Sequence, residues 1–244
     1  MLTRPRLAHY ACGVRRTAFL LLLAGLATSA FGQASMSDLD RYMYPLSKPL
    51  KAPPVIIDTS DIPALAPWAV KAKQIVEQWY PYITEMLATQ GYKPPKTIKL
   101  TFKKKIDAPA WATGDEITFS GEWLTAHPDD MGIVVHELTH IVQAYPDYEG
   151  KPGWLVEGVA DYIRWWRYEP ESPRSRVDPV KSKYTDAYRT TANFLAWITA
   201  KYNRGLVFAL DRAMRDKKDP MLEFAKLTGK DADALWSEYT ATLK

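Results

Sequence analysis

The stretch "MGIVVHELTHIVQAYP" spans residues 131–146 and sets two histidines four positions apart, with a glutamate directly after the first. On a helix, residues i and i+4 lie on the same face one turn apart, so His136 and His140 can present two imidazole nitrogens to one ion. Glu137 lies one position further round, where its carboxylate can reach a water on that ion. The pattern predicts a helix that carries a zinc site, whereas without metal these would be polar residues on an apolar helix.

A third ligand is expected from the next helix, because two histidines alone hold zinc poorly. The segment "WLVEGVADY", residues 154–162, carries Glu157 and Asp161 at i and i+4, so both carboxylates face one way. Sixteen residues separate His140 from Glu157, which is enough for a loop and a helix packed antiparallel to the first. Either carboxylate can serve as the third ligand.

This order of motifs resembles the gluzincin metallopeptidases, which combine H-E-x-x-H with a glutamate on a following helix. The resemblance implies one Zn²⁺ held by His136, His140 and Glu157, with Glu137 as the general base. It also implies that Asp161 orients one of the histidines by a hydrogen bond. The interval between the two motifs is slightly shorter than in that class, so Asp161 as the third ligand stays an alternative.

Longer blocks of the sequence resemble the basic secretory protein family, zinc peptidases of plants and bacteria. In chain order the blocks are "HELTHIVQ", "GWLVEGVADYIRW", "YTDAYRTTANFLAWI" and "LWSEYTATLK". The likeness covers most of residues 55–244 and implies a peptide or protein substrate. A second donor for the oxyanion is expected from Tyr188, which lies in a matching block, or from Tyr184; an ordinary, partly buried tyrosine is the competing role for either.

The residues before the histidine helix predict a small, mainly antiparallel sheet with a helical backing. "PPVIIDTS" indicates a first strand, "TIKLTFKK" alternates as a half-buried strand, and "EITFSG" follows a turn at residues 113–115. We expect the "EITFSG" strand to be the edge along which an extended substrate pairs. A helix with one apolar face is predicted from Pro63 to near Gly91, kinked or divided by Pro81.

The rest of the chain is predicted to be helical, with Asp129 or Asp130 as the N-cap of the histidine helix. The four last helices are predicted at about residues 185–202, 205–216, 220–228 and 232–243. The fold class is therefore α+β and zincin-like, with an active-site helix followed by an all-helical C-terminal lobe. An extended lead-in at 35–62 precedes one metallopeptidase domain, which comprises an α+β lobe from 63 to about 146 and a helical lobe from 147 to 244.

Residues 1–34 are expected to be a signal peptide that directs the protein to the periplasm or outside the cell. The segment contains an uncharged run, "TAFLLLLAGLATSAFG", and no acidic residue. Its basic residues before that run are Arg4, Arg6, Arg15 and Arg16. The Arg15–Arg16 pair resembles a twin-arginine signal, so general and twin-arginine export are both open, and an uncleaved membrane anchor is the alternative.

The balance of charge excludes a nucleic-acid partner. The whole chain has 32 Lys+Arg and 28 Asp+Glu, but residues 1–34 hold four of the arginines and no acid, so 28 basic residues face 28 acidic ones after cleavage. In this the chain departs from the word "basic" in the family name. The single cysteine, Cys12, also lies in the leader, which excludes disulfides, thiolate ligands and a cysteine nucleophile from the mature chain.

These features favour an exported zinc-dependent peptidase that hydrolyses peptide bonds through a metal-activated water, with no membrane partner after signal cleavage. One alternative is a secreted binding or defence-type protein with a structural or vestigial zinc site. Another is a zinc hydrolase of non-peptide amides or esters, since the motif specifies the water rather than the substrate. Endopeptidase and aminopeptidase action are equally compatible with the motif, and no feature predicts an oligomeric state.

Overall fold

The computed structural model of the chain describes residues 50–87 and 90–243. The predicted signal peptide and the lead-in up to residue 49 lie outside the described residues. Four strands and eight α-helices make up the described part, which confirms the α+β class. No helix within these two ranges combines the length and apolarity needed to cross a bilayer.

The long helices are those that hydrophobic periodicity predicts. In chain order the helices are α1 (Ala66–Leu87), α2 (Gly121–Ala126), α3 (Gly132–Gln143), α4 (Gly153–Ile163), α5 (Tyr188–Lys201), α6 (Leu206–Arg215), α7 (Met221–Thr228) and α8 (Ala232–Ala241). The short helix α2 was not predicted. Pro81 lies inside α1 without dividing it, so of the two effects predicted for this proline, a kink or a division, the division is wrong. At its C-terminal end α4 continues into a π-helical turn at Arg164–Tyr168.

The strands form one mixed sheet in the order β1-β2-β4-β3. Their bounds are β1 (Val55–Asp58), β2 (Ile98–Lys103), β3 (Ala110–Thr113) and β4 (Glu116–Ser120). β1 pairs with β2 in parallel, β2 pairs with β4 in parallel, and only β3 and β4 are antiparallel. Ile98, Leu100 and Phe102 are fully buried, as the alternating pattern of β2 predicts.

The prediction of a mainly antiparallel sheet is therefore wrong, and connectivity is the reason. Helix α1 carries the chain back across the sheet, so β2 runs parallel to β1, as in other strand–helix–strand units. The segment at 104–109 then places β3 on the outer side of β4, and the tight turn at Gly114 (φ +62°) returns β4 beside β2. The "EITFSG" strand is thus internal, and the edge that we expected there belongs to β3.

Helix α3 runs through the interior of the domain. It packs against α1 and β3 on one side and against α4 and the π-helical turn on the other. All of its residues are buried except His140, which is partly buried. A helix that is apolar nearly all round belongs in a core, and each buried polar group on it needs a partner. The polar residues of α3 therefore indicate a functional site within the core.

No aspartate caps α3, contrary to prediction. The helix begins after Met131, which makes no side-chain capping bond. Asp130 instead pairs with Arg164 of the π-helical turn and accepts a hydrogen bond from Nε1 of Trp123 at 2.9 Å. A charged partner and an indole N–H hold the carboxylate more strongly than a backbone amide would. Asp130 thereby ties α2 to the end of α4.

The close packing of α4 on α5 yields a prediction about stability. A Cβ added at Gly158 would lie 2.2 Å from Cγ2 of Thr191, a fully buried β-branched residue of α5. We expect Gly158→Ala to lower the free energy of unfolding by about 1–3 kcal/mol, because the two helices must separate. Gly153→Ala is the matched control, since nothing lies within 4 Å of its Cβ position in the same helix. Equal thermal stability of the two variants would contradict this packing.

Candidate metal centre

Three side chains from two neighbouring helices converge on one point. His136 and His140 of α3 and Glu157 of α4 bring their donor atoms within 4.8 Å of one another. The two Nε2 atoms are 3.2 Å apart. Oε2 of Glu157 lies 3.2 Å from Nε2 of His136 and 3.4 Å from Nε2 of His140. The i, i+4 spacing brings the two rings together on one face of α3, and the contact of α3 with α4 supplies the carboxylate.

Hydrogen bonds behind the two rings determine which nitrogens face this point. Nδ1 of His136 donates to Oδ1 of Asp161 at 2.8 Å, and Nδ1 of His140 donates to Oε1 of Gln143 at 2.7 Å. Because a carboxylate and an amide oxygen can only accept, both Nδ1 atoms carry a proton. In the neutral rings, the lone pairs of both Nε2 atoms therefore point towards the carboxylate of Glu157.

The donor set fits one small divalent cation such as zinc. Three electron-rich atoms in mutual contact repel one another unless positive charge lies between them. Zinc binds histidine nitrogen at about 2.0–2.1 Å in tetrahedral geometry, which separates neighbouring ligand atoms by about 3.3–3.4 Å. The three observed separations are 3.2, 3.2 and 3.4 Å. The side chains are thus already spaced as ligands of a single ion.

The pKa shifts at the site also indicate an arrangement made for positive charge. Burial opposes protonation of His136, but hydrogen bonds to Asp161 and Glu157 outweigh it and raise the pKa of His136 to about 10. Burial likewise opposes ionisation of Glu157, yet hydrogen bonds from the two histidines lower the pKa of its carboxyl well below the usual range. The carboxylate is therefore ionised whenever it could act as a ligand.

Asp161 lies behind the ring of His136 rather than between the two histidines. Its Oδ1 accepts from Nδ1, on the side of the imidazole that faces away from Glu157. This geometry favours Glu157 as the third donor and gives Asp161 the orienting position that the gluzincin resemblance implies.

Glu137 is buried and lines the same cleft as the three donors. Burial raises the pKa of its carboxyl, against the opposing effect of the two nearby histidines. Its carboxylate has no hydrogen-bond partner among the described residues. A buried carboxylate in this state is poised to exchange a proton with a molecule in the cleft.

The two tyrosines considered for the oxyanion differ in their surroundings. Tyr184 packs against Trp154 and donates its hydroxyl hydrogen bond to Asp233 at 3.0 Å, so its phenol is already engaged. Tyr188 lines the cleft, is 55% exposed, and stacks its ring 6.2 Å from the ring of His136. The negative charge of Glu157 is the first cause that raises the pKa of Tyr188, which keeps its hydroxyl protonated as a donor.

The backbone that delivers Tyr188 to the cleft is strained. Ala187 has φ +62° and ψ −172°, a region that is otherwise occupied almost solely by glycine, and Tyr188 follows at φ +45°. Two such residues in succession cost of the order of 1–3 kcal/mol each and persist only where the surrounding structure imposes them.

The cleft itself has a volume of about 890 Å³ and runs between the edge of the sheet and the helices. Strand β3 forms part of one wall with Trp111, which is 43% exposed. Trp165 of the π-helical turn lines another part. Such a turn, rare in proteins, often occurs at functional sites.

Sequence reasoning missed Gln143, which completes the support of the second histidine. Its Nε2 donates to the carbonyl of Val156 at 2.9 Å, which fixes Oε1 as the acceptor for His140 and links α3 to α4. The signal was present, since Gln143 lies three positions after His140 and hence on the same helical face. In the sequence alone, Gln143 cannot be distinguished from a capping residue at the end of the helix.

Fold and site together define a class of protein: an α+β domain in which two adjacent helices arrange an H-E-x-x-H motif and a downstream glutamate around one cation position. The model of the family described as "Peptidase of plants and bacteria" (BSP) matches residues 65–239. The chain therefore belongs to this family, the basic secretory proteins, which confirms the resemblance found in the sequence. No curated protein and no solved structure matches the chain.

Proposed function

We propose that the protein is an exported zinc-dependent peptidase that hydrolyses peptide bonds through a metal-activated water. One observation carries the proposal: His136, His140 and Glu157 converge at the separations a tetrahedral ion requires, in a cleft that also contains the carboxylate of Glu137. A structural zinc site is closed by four protein ligands. Within the described residues three donors converge here, which leaves a coordination position for solvent.

The proposed mechanism divides the chemistry between the ion and the chain. Bound zinc supplies Lewis-acid chemistry, lowering the pKa of a water molecule and polarising the peptide carbonyl. Glu137 accepts the proton of the attacking water and delivers it to the leaving amine. The raised pKa of Glu137 suits it to both transfers, because burial disfavours the ionised carboxylate and so makes the group a stronger proton acceptor than an exposed glutamate. Throughout the reaction, Asp161 and Gln143 hold the two imidazole rings in a fixed orientation by accepting hydrogen bonds from their Nδ1 atoms.

An extended peptide is the substrate shape that the cleft supports best. β3 is an edge strand of the sheet that the described residues form, so we infer that backbone groups on its outer side pair with a substrate strand. Trp111 on this strand offers a flat apolar surface beside the metal position. In this arrangement the substrate pairs with β3 and not with the "EITFSG" strand.

Export is proposed from residues 1–34 alone, whose arginines precede an apolar run and small residues. Periplasmic or secreted location follows from it. The even balance of charge in the remaining residues supports neither a nucleic-acid nor a membrane partner.

The direct test is to measure zinc content and the hydrolysis of a mixed peptide library by mass spectrometry. We expect one zinc per chain and peptide-bond cleavages that a chelator abolishes and added zinc restores. Stoichiometric zinc with no cleavage of any library peptide would contradict the proposal and favour the binding or defence-type alternative.

Tyr188→Phe tests the proposed oxyanion donor. We expect kcat to fall by about 10²-fold while KM changes little, because a phenol that bonds to the developing oxyanion acts in the transition state. Tyr184→Phe is the matched control, since that hydroxyl is bound to Asp233. Steady-state kinetics on one cleaved peptide measures both variants, and an unchanged kcat for Tyr188→Phe would remove this tyrosine from the mechanism.

A further inference from the structure

Two arginines of the cleft wall take no part in the metal site. Arg176 and Arg189 line the cleft and are exposed, and neither forms an ion pair with any described residue. The other basic residues of the cleft are engaged. Arg164 pairs with Asp130 and Glu169, and Lys151 pairs with an aspartate of its own loop at 3.0 Å.

Arg189 is positioned by stacking rather than by an acid. Its guanidinium carbon lies 3.9 Å from the ring centroid of Trp165, and Arg164 lies against the same indole at 4.3 Å. Because Arg164 is itself held by two carboxylates, Trp165 is a fixed platform. A guanidinium flat on an indole keeps its in-plane N–H groups free, and that fork matches the two oxygens of a carboxylate.

The position of Arg189 relates it to the reacting centre. It lines the same cleft as the metal donors and follows Tyr188, whose ring is 6.2 Å from that of His136, so a peptide bound in this cleft passes both residues. Arg189 is also the second residue of α5, where the helix dipole disfavours a cation. Helix stability therefore does not explain why an arginine occupies this position.

The acidic residues of the cleft leave these two charges uncompensated. Glu137, Glu157 and Asp161 belong to the metal site, where a bound Zn²⁺ would offset two of their three negative charges. Asp130 also lines the cleft but pairs with Arg164. The remaining acid is Asp186, whose Oδ2 accepts from the backbone N–H of Lys183 at 2.8 Å without an arginine partner. The Arg176 and Arg189 region thus presents positive charge to a substrate.

We propose that Arg189, assisted by the charge of Arg176, binds a carboxylate of the peptide substrate, so that the enzyme prefers peptides with an acid near the scissile bond. The carboxylate is either an Asp or Glu side chain or a free C-terminus. The preference in hydrolysis rests on the peptidase function proposed above, whereas the binding itself does not.

The experiment uses pairs of peptides with an amidated C-terminus. The two members of a pair differ at one position, which is Glu in one and Gln in the other. This position is moved, from pair to pair, over the residues on both sides of the cleaved bond. A further pair differs only in a free or amidated C-terminus. For the zinc-loaded protein we expect kcat/KM to be about 10–100-fold higher for the carboxylate member of one pair, the range expected for a charge-assisted hydrogen bond. In Arg189→Gln this ratio should fall towards one.

Arg212→Gln is the matched control. Arg212 is exposed on α6 outside the cleft, and its replacement removes the same charge. It should keep the wild-type ratio. Calorimetry measures the binding of the same peptide pairs to the Glu137→Gln variant and to the double variant that also carries Arg189→Gln. This measurement does not depend on turnover. Tighter binding of the carboxylate member that is lost with Arg189→Gln supports the inference even if no peptide is cleaved.

Equal kcat/KM and equal affinity within every pair would overturn the inference and leave the peptidase function intact. No hydrolysis of any peptide would overturn the peptidase function, and the calorimetric comparison would then decide the carboxylate site alone. A ratio that falls equally in Arg189→Gln and Arg212→Gln would also contradict the site, since it would assign the preference to net charge.

Discussion

Glu137→Gln is expected to lower kcat by about 10²–10⁴-fold while the protein keeps its zinc. The amide has the same shape as the carboxylate but cannot accept a proton from the attacking water. Zinc is retained because Glu137 is not one of the three converging donors. Metal content and peptide hydrolysis of the same preparation measure the two effects together.

Glu77→Gln provides the control for this variant. Glu77 is an exposed residue of α1, 3.8 Å from Lys73, and its replacement makes the same change of charge away from the cleft. It should hydrolyse peptides at the wild-type rate. Comparable activity of Glu137→Gln and Glu77→Gln would show that another group moves the proton.

The second large effect concerns the third ligand, and two isosteric variants separate Glu157 from Asp161. Glu157→Gln should weaken zinc binding by more than about 100-fold, because an anionic ligand is replaced by a neutral amide. Asp161→Asn should weaken it by about 10–100-fold, the range for partners that orient a ligand histidine. Competition with a chromogenic chelator measures both affinities.

The opposite order would assign the ligand role to Asp161. In that case Asp161→Asn would lose zinc almost entirely and Glu157→Gln would bind it nearly as well as the wild type. The hydrogen bond of Asp161 to Nδ1 of His136, with Nε2 directed at Glu157, argues for the first order.

The helices and the three converging donors could be predicted from the sequence because their signals are local. His136 and His140 share a face through the repeat of one helix, and Glu157 needs just a short loop before the next helix. The apolar character of α3, which the sequence shows directly, accounts for the burial of this helix. These features depend on spacing within about 25 residues, where helix geometry leaves little freedom.

The sheet was harder to predict because strand pairing is not local. Nothing in the sequence of β4 indicates whether it pairs with β2 directly or only through β3, and a strand as short as β3 has a weak alternation signal. The edge strand of the sheet was therefore predicted to be β4, whereas it is β3. Asp130 was misassigned for a similar reason, since Arg164, the partner that draws it from the helix terminus, lies 34 residues away.

The stacked arginines also could not be predicted from the sequence. "RWW" in the second block places Trp165 at the end of α4, but the sequence does not indicate that this residue lies in a π-helical turn. Arg189 reaches that ring from a different helix, after a strained turn at Ala187. The proposed carboxylate specificity therefore rests on tertiary contacts, whereas the proposed metal site rests on a local motif.

X-ray diffraction from zinc-loaded crystals, recorded at the zinc absorption edge, shows directly whether two histidine nitrogens and one glutamate hold a single ion. We predict one anomalous peak per chain, roughly 2.0–2.2 Å from Nε2 of His136, Nε2 of His140 and a carboxylate oxygen of Glu157. The absence of a peak in this cleft, or a peak bound by other side chains, would contradict the account.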